Sequence, residues 1–105
     1  MNNTNEILIL IKATVRKYIP DAEVSLFGSR ARNNADIDSD YDILIVTGIE
    51  LTPREKLPLK AVIRKDLLRS DIRTDILIQT QKEIMIKKTL PGHIIRNILK
   101  ESVLL

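Results

Sequence analysis

The chain has 105 residues, of which 44% are hydrophobic and 30% charged, a balance typical of a globular protein with one core. It contains no cysteine, which excludes disulfide frameworks, thiolate metal sites and cysteine nucleophiles. The net charge of +3 suits a polyanionic ligand but does not identify one, and we expect a single domain over residues 1–105.

The N-terminal segment does not resemble a targeting sequence. No basic stretch precedes its apolar residues, and Glu6, Lys12 and Arg16 interrupt them, unlike in a secretory signal peptide. No apolar run in the chain approaches the roughly 20 residues that a membrane-spanning helix needs. We therefore expect a cytoplasmic protein that makes no membrane contact.

The first half of the chain predicts a helix, a strand, a short helix and a second strand. Apolar residues at helical spacing indicate a helix over residues 5–19, and residues 23–27 predict a short strand. Residues 28–35 predict a turn with a short helix. The run YDILIV at residues 41–46 is apolar and β-branched without interruption, which is typical of a central strand.

The second half predicts helices that alternate with short strands. Thr52, Pro53 and Glu55 are typical of a helix start, and this basic helix should run to about Arg69. The later elements are a strand at residues 74–79, a short helix capped by Thr80 and Glu83, a helix at residues 93–100 and an edge strand at residues 103–105. The fold class is therefore α/β (α+β), with a small mixed β-sheet and helices packed mainly on one face.

A candidate phosphate site follows the first strand. Gly28 lets the backbone approach a phosphate, the helix start offers unpaired N–H groups, and Ser29 adds a hydroxyl donor. Arg30 and Arg32 add positive charge nearby. A Gly-Ser pair on its own also fits an ordinary turn.

Three aspartates form a second candidate site. Asp40 and Asp42 lie two residues apart at the start of an apolar strand, so their carboxylates share a face and repel each other unless a cation lies between them. Asp75 opens the later strand in the same way. If the two strands are neighbours, the three carboxylates can hold two Mg²⁺ ions, an arrangement suited to nucleotidyl transfer. A solvated acidic turn is the alternative.

A calcium loop is excluded by the residues that it requires. Asp36, Asp38 and Asp40 match its first three ligand positions, but Tyr41 stands where glycine is needed and Thr47 where a bidentate glutamate is needed. Asp36 and Asp38 are interpreted as loop residues that tune the local field.

The combined pattern resembles a known family. Gly-Ser-Arg-Ala-Arg at residues 28–32, Ser-Asp-Tyr-Asp at residues 39–42 and a lone aspartate on a later strand are similar to the DNA polymerase β-like nucleotidyltransferase superfamily, and most to its minimal nucleotidyltransferase (MNT) branch. The resemblance covers nearly the whole chain. It implies a polymerase β-like nucleotidyltransferase core and an enzyme that transfers a nucleotide from a metal-bound triphosphate to a hydroxyl.

The resemblance also implies roles for the site residues. Asp40 and Asp42 resemble the metal-ligand pair, and Asp75 resembles the third metal-binding carboxylate, which faces the nucleophile and helps to deprotonate it. Gly28 and Ser29 resemble the phosphate-gripping turn. Arg30 and Arg32 match common motif positions, for which we expect nucleotide or phosphate binding.

The MNT resemblance implies a partner as well. Members of this family are typically encoded beside an all-helical HEPN protein, an RNase-like toxin, and act as its antitoxin by transferring AMP from ATP to a toxin tyrosine. We therefore expect ATP and Mg²⁺, a hetero-oligomer with a HEPN-domain toxin, and no direct nucleic-acid binding. The HEPN signature, an arginine a few residues before a histidine, is absent because Ile86, Lys87 and Lys88 precede His93.

Two other functions remain open at the level of sequence. One is nucleotidylation of a small-molecule hydroxyl, as in antibiotic-modifying relatives, and the other is a non-catalytic module that masks a toxin. His93 is expected to have a surface or helix-capping role. The basic helix over residues 53–69 is either a solvated face or a docking surface for an acidic partner.

Overall fold

The computed structural model describes residues 4–32 and 39–105, and Asp36 and Asp38 lie outside these ranges. The elements in chain order are α1 (Thr4–Tyr18), β1 (Glu23–Phe27), α2 (Gly28–Ala31), β2 (Tyr41–Thr47), α3 (Pro53–Leu68), β3 (Thr74–Thr80), α4 (Gln81–Lys87), α5 (Ile94–Glu101) and β4 (Val103–Leu104). Every helix and strand predicted from the sequence is present, with bounds within a few residues of those expected.

The strands form one mixed sheet in the order β3-β2-β1-β4. β1 runs antiparallel to both β2 and β4, whereas β2 and β3 are parallel and are connected through α3. Parallel neighbours need such a crossover because a tight turn can join only antiparallel strands. The α/β (α+β) class with a small mixed sheet is confirmed.

The main core lies between the sheet and the two long helices. Ile11 and Val15 of α1 and Ile63 and Leu67 of α3 are almost completely buried against the apolar side chains of β1, β2 and β3. Their spacing follows the helical repeat, so each helix presents one apolar stripe to the sheet. The larger helices therefore pack on one face, as predicted.

A smaller core covers the opposite face of the sheet. Ile95 and Ile98 of α5 pack there with Leu44, and Ile84 of α4 and Leu77 lie around them. Because β2 is covered on both faces, its sequence reads as a continuous apolar run instead of an alternating one. Only its second residue, Asp42, interrupts that run with a charge.

Local hydrogen bonds define the helix starts. Thr52 with Glu55 and Thr80 with Glu83 form the two expected capping boxes at α3 and α4. His93 caps α5, since its Nδ1 accepts a hydrogen bond of 3.1 Å from the backbone N–H of Ile95. The capping role expected for His93 is therefore confirmed.

Polar contacts join α1 to α3 outside the core. The Asp66 carboxylate accepts hydrogen bonds from the Tyr18 hydroxyl at 2.7 Å and from the Lys17 ammonium at 3.1 Å. The Tyr18 hydrogen bond, followed by Lys17, lowers the pKa of Asp66 below its usual value. This cluster fixes the two long helices at the end that is opposite the start of α3. None of the helices in the described part of the chain combines the length and apolar character that crossing a membrane requires.

Asp21 joins the turn before β1 to the end of β2. Its carboxylate accepts hydrogen bonds from the Thr47 hydroxyl at 2.6 Å and from the Gly48 backbone N–H at 2.7 Å. These bonds lower the pKa of Asp21 below its usual value, with the Thr47 hydroxyl as the larger cause. The hydrogen-bonded form is thus the charged carboxylate.

We expect Asp21→Ala to destabilise the fold by about 1–2 kcal/mol near neutral pH, because a buried Thr47 hydroxyl and a backbone N–H lose their acceptor. Since the folded pKa is lowered, this contribution is present above the unfolded pKa of about 3.9 and is lost as the pH falls through the folded value. Urea unfolding at several pH values measures it, with Glu50→Ala, an exposed acidic site, as control. A difference between Asp21→Ala and wild type that persists unchanged at pH 2 would contradict the assignment.

Candidate active site

The pairing of β2 with β3 brings two of the predicted acids together. In the parallel register, Asp42 lies directly beside Asp75, and on its other side Asp42 pairs with Phe27 of β1. Adjacent residues in register project from the same face of a sheet. The two strands that the sequence left unplaced are therefore neighbours, and they hold the two carboxylates side by side.

Like charge accumulates around Asp42. Burial raises the pKa of the Asp42 carboxyl above its usual value, and the negative charges of Asp75 and Asp40 raise it further. The Arg32 guanidinium acts in the opposite direction, and the Glu101 carboxylate adds a smaller increase. A half-buried carboxyl among three other acids is a place where a cation would be favoured.

Asp40 has a different neighbour. Its Oδ1 lies 3.7 Å from Nε of Arg73, and both side chains are about half exposed. An ion pair as exposed as this one contributes about 0–1 kcal/mol, so little energy holds Asp40 in this rotamer.

The donor chemistry of this edge suits a divalent cation. Within residues 4–32 and 39–105, no three histidine, cysteine or acidic side chains converge closely enough to hold a metal ion as they stand. Asp42 and Asp75 nevertheless supply adjacent carboxylate oxygens, which are the ligands that Mg²⁺ prefers, and Asp40, two residues before Asp42, is close enough to raise its pKa. These residues fit a Mg²⁺ site completed by the phosphate oxygens of a substrate.

The close contact between Gly28 and Asp42 requires a residue without a side chain at position 28. Its φ of +74° is in the left-handed region, and a Cβ at this position would overlap the Asp42 carboxylate. Only glycine allows the turn after β1 to approach the acid this closely. Ser29 follows as the second residue of α2.

The hydrogen-bond donors at this turn bind a carboxylate of the protein itself. Glu101, at the end of α5, accepts a hydrogen bond of 3.2 Å from the Gly28 backbone N–H through Oε1 and pairs at 2.8 Å with Arg32 through Oε2. Two donors that the sequence assigned to phosphate binding thus converge on one carboxylate, in the neighbourhood of Asp42. Glu101 is a site residue that the sequence did not reveal, because 73 residues separate it from Gly28.

Arg30 stabilises the approach to β2. Its Nε and Nη2 donate to the Ser39 carbonyl oxygen at 3.0 and 2.7 Å, and its guanidinium lies 4.0 Å from the centre of the Tyr41 ring. Both contacts flank Asp40 in the sequence. In this structure Arg30 therefore positions the segment that carries Asp40 and Asp42, and its predicted contact with nucleotide stays a prediction.

The nucleotidyltransferase domain family model matches residues 8–105 of this sequence. The chain belongs to this family. The match covers both the Gly28–Ser29 turn and the three aspartates, so the nucleotidyltransferase carries its candidate site within the matched region.

Solved structures agree with this assignment. A nucleotidyltransferase with 28% identity superimposes with a TM-score of 0.64, covering 93% of this chain and 96% of its own. A minimal nucleotidyltransferase with 23% identity has a TM-score of 0.63 and coverages of 99% and 97%. A chain from the complex of a tri-AMPylated Shewanella oneidensis HEPN toxin with an MNT antitoxin has 14% identity, a TM-score of 0.56 and coverages of 95% and 69%. No curated protein sequence matches significantly.

The comparisons confirm the predicted resemblance and the predicted fold. The chain is a nucleotidyltransferase, and the solved structures that share its fold include a minimal nucleotidyltransferase. The individual roles of Asp40, Asp42, Asp75, Gly28 and Ser29 stay predictions, although the fold brings Asp42, Asp75 and Gly28 together.

Two glycines with the same backbone geometry allow a matched test of the turn. Gly28 and Gly92 both have φ +74°, but a Cβ at Gly92 meets no atom within 4 Å. We expect both alanine variants to lose about 1–2 kcal/mol of stability from the left-handed backbone. Only Gly28→Ala should also displace Asp42, and it should reduce nucleotidyl transfer at least 100-fold. Equal activity of the two variants, measured at matched folded fractions, would show that the contact between Gly28 and Asp42 is unimportant.

Proposed function

We propose that this nucleotidyltransferase is an antitoxin that transfers AMP from ATP to a tyrosine hydroxyl of a HEPN-type RNase toxin encoded beside it, in the cytoplasm. The observation that carries the proposal is the in-register pairing of Asp42 with Asp75 next to a turn whose donors already bind a carboxylate. The similarity to a chain from a complex that contains an AMPylated HEPN toxin supports the choice of acceptor.

The triphosphate is assigned to the β1 side of the site. There the Gly28 backbone N–H and the Arg32 guanidinium converge on the Glu101 carboxylate, so their geometry accepts an anionic oxygen. Ser29 would add its hydroxyl to these donors. A phosphate that replaces Glu101 would lie close to Asp42, across the pairing of β1 with β2.

Asp40, Asp42 and Asp75 are assigned to hold Mg²⁺, which when bound would neutralise the phosphate charge and polarise the reacting oxygens. In the transfer, the tyrosine oxygen attacks the α-phosphorus, the bond from that phosphorus to the bridging oxygen breaks, and pyrophosphate leaves. Asp75 is on the strand farther from Gly28, since β2 lies between β3 and β1. We therefore assign the acceptor to the β3 side, where the Asp75 carboxylate would take the phenol proton.

A tyrosine acceptor is difficult to activate without help. A phenol titrates near pH 10, so almost none is ionised at neutral pH, and a nearby carboxylate and cation both favour loss of its proton. An AMP added to the toxin is a bulky anion, which would obstruct a groove that binds RNA by size and by charge repulsion.

The direct test is the intact mass of the toxin after incubation with the chain, ATP and Mg²⁺. We expect additions of whole AMP units with wild type. Suppressed toxicity without any added mass would favour the masking module. Modification of a small hydroxylated compound in place of the toxin would favour the alternative of small-molecule nucleotidylation.

We expect Asp42→Asn to lower transfer by at least 1000-fold, because one ligand of the metal site is lost, which costs several kcal/mol in the transition state. The fold should be unchanged or firmer near neutral pH. The raised pKa of Asp42 means that its charged form opposes folding, so this gain should disappear below about pH 4, where the carboxyl is protonated in both states.

Asp71→Asn is the matched control for Asp42→Asn, because Asp71 is an exposed acid before β3 outside the proposed site. It should retain wild-type activity. Near-normal transfer by Asp42→Asn would contradict the assignment of Asp42 as a metal ligand. An equal loss of transfer activity in Asp42→Asn and Asp71→Asn would point to a general effect of charge.

We expect Glu101→Gln to bind ATP about 3–30-fold more tightly, since a neutral amide competes less well for the Gly28 N–H and Arg32 and is displaced at lower cost. Titration calorimetry on wild type and variant measures the change. Weaker binding by the variant would mean that Glu101 supports the nucleotide site instead of occupying it.

A further inference from the structure

A groove of about 320 Å³ lies between α3 and the N-terminal half of β3. Lys60 and Arg64 contribute to its helical side, and Thr74 and Ile76 to its strand side, with Asp75 between them in sequence. The groove therefore borders the backbone of Asp75, whose side chain projects to the opposite face of the sheet, on the side of the candidate site that is farther from Gly28. None of the elements described above fills it.

The groove contains a buried hydroxyl without a partner. Thr74 is only 3% exposed, yet its Oγ1 has no hydrogen-bond partner among the described residues. A buried hydroxyl that makes no hydrogen bond destabilises the folded state, because it has lost its bonds to water without replacement. A rotation of the Thr74 side chain towards the groove would let a polar ligand atom there remove this cost.

The same groove carries uncompensated positive charge. Lys60 and Arg64 form no ion pair with any residue in the described part of the chain, whereas Lys56, one turn earlier on the same helix, is paired with Glu83 at 2.6 Å. Residues four apart lie on one side of a helix, so the two cations face the same ligand. Their charge complements an acidic one.

The strand side of the groove suits an extended backbone. β3 is an edge of the sheet, so one side of its seven residues is not hydrogen-bonded to another strand. An edge strand can accept a further strand from a partner. Alternate residues of a strand are about 6.7 Å apart and Lys60 and Arg64 are about 6 Å apart along the helix axis, so acidic side chains at every second position can meet both cations.

We propose that this groove binds an extended acidic peptide segment of the protein acceptor, with alternate carboxylates at Lys60 and Arg64 and a polar atom at the Thr74 hydroxyl. The segment would add to the edge of β3 and lead the acceptor hydroxyl past this edge towards Asp75 on the other face of the sheet. This proposal rests on the proposed function for the identity of the partner, but the binding of the peptide does not depend on catalysis.

A protein segment fits the groove better than a nucleic acid does. Among the described residues that line the groove none is aromatic, so unpaired bases would have no ring there to stack on. Leu57, Ala61 and Ile76 instead offer apolar surface for the methylene groups of glutamate and for neighbouring side chains.

The test uses the full chain and a fluorescein-labelled nine-residue peptide in which glutamate and valine alternate. We expect fluorescence anisotropy to show saturable binding, and a peptide with lysine in place of glutamate should not bind. The double variant Lys60→Glu with Arg64→Glu should weaken binding at least tenfold, because it replaces two attractions with two repulsions. Arg54→Glu with Lys65→Glu, the same charge change on the same helix outside the groove, should change it less than threefold.

The Thr74→Val variant removes the hydroxyl and leaves the shape of the groove almost unchanged, so it tests the hydroxyl alone. We expect the variant to be as stable as wild type or more so, because an unpaired buried hydroxyl is removed, and to bind the peptide about 3–10-fold more weakly. A destabilised Thr74→Val with unchanged peptide affinity would show that the hydroxyl serves the core and not a ligand.

Equal affinity of the two double variants would overturn the proposal. So would tighter binding of a single-stranded RNA oligonucleotide that is lost in the Lys60→Glu, Arg64→Glu variant, because the groove would then be a nucleic-acid site. Asp42→Asn should bind the peptide like wild type. Normal peptide binding together with no AMP transfer to any toxin would contradict the proposed function and leave the groove assignment intact.

Discussion

The parallel pairing of β2 with β3 is the constraint on which the rest of the site depends. One residue of register slip would move Asp75 to the other face of the sheet and bury its charge against α1 and α3. The apolar residues that flank both aspartates oppose such a slip, because Ile43 and Ile76 must stay in the main core. Hydrophobic burial thus holds the two carboxylates side by side in spite of their mutual repulsion.

The arrangement has an electrostatic cost that neighbouring cations reduce. Arg32 lowers the pKa that the surrounding acids raise at Asp42, and Arg73 lies beside Asp40. Both cations are on the outside of the cluster and are more than half exposed, so they do not remove the repulsion between Asp42 and Asp75. The remaining repulsion between these two acids is what would favour a bound cation.

The order of the strands gives the site two distinct sides. Gly28 and Arg32 follow β1 on one side of β2, and Asp75 with the cationic groove is on the other side. A nucleotide and an acceptor can therefore approach the central acid from opposite directions without competing for the same donors. The fold shared with the solved nucleotidyltransferases is compatible with this division, since its sheet provides both sides from one short chain.

The sequence determined the elements and the motif, because both depend on local chemistry. Helix caps such as Thr52 and Thr80, the apolar repeat of the helices and the strand preference of YDILIV act over a few residues, and the spacing of Gly28, Asp40 and Asp42 was sufficient to suggest the family.

Only the tertiary structure decided what lies beside these residues. The placement of Asp75 depended on which strands pair, Glu101 reaches Gly28 from 73 residues away, and the groove at Thr74 forms only when α3 packs on one face of β3. Such contacts arise from the packing of whole elements against a shared core, and local patterns in the sequence carry no record of the long-range partner.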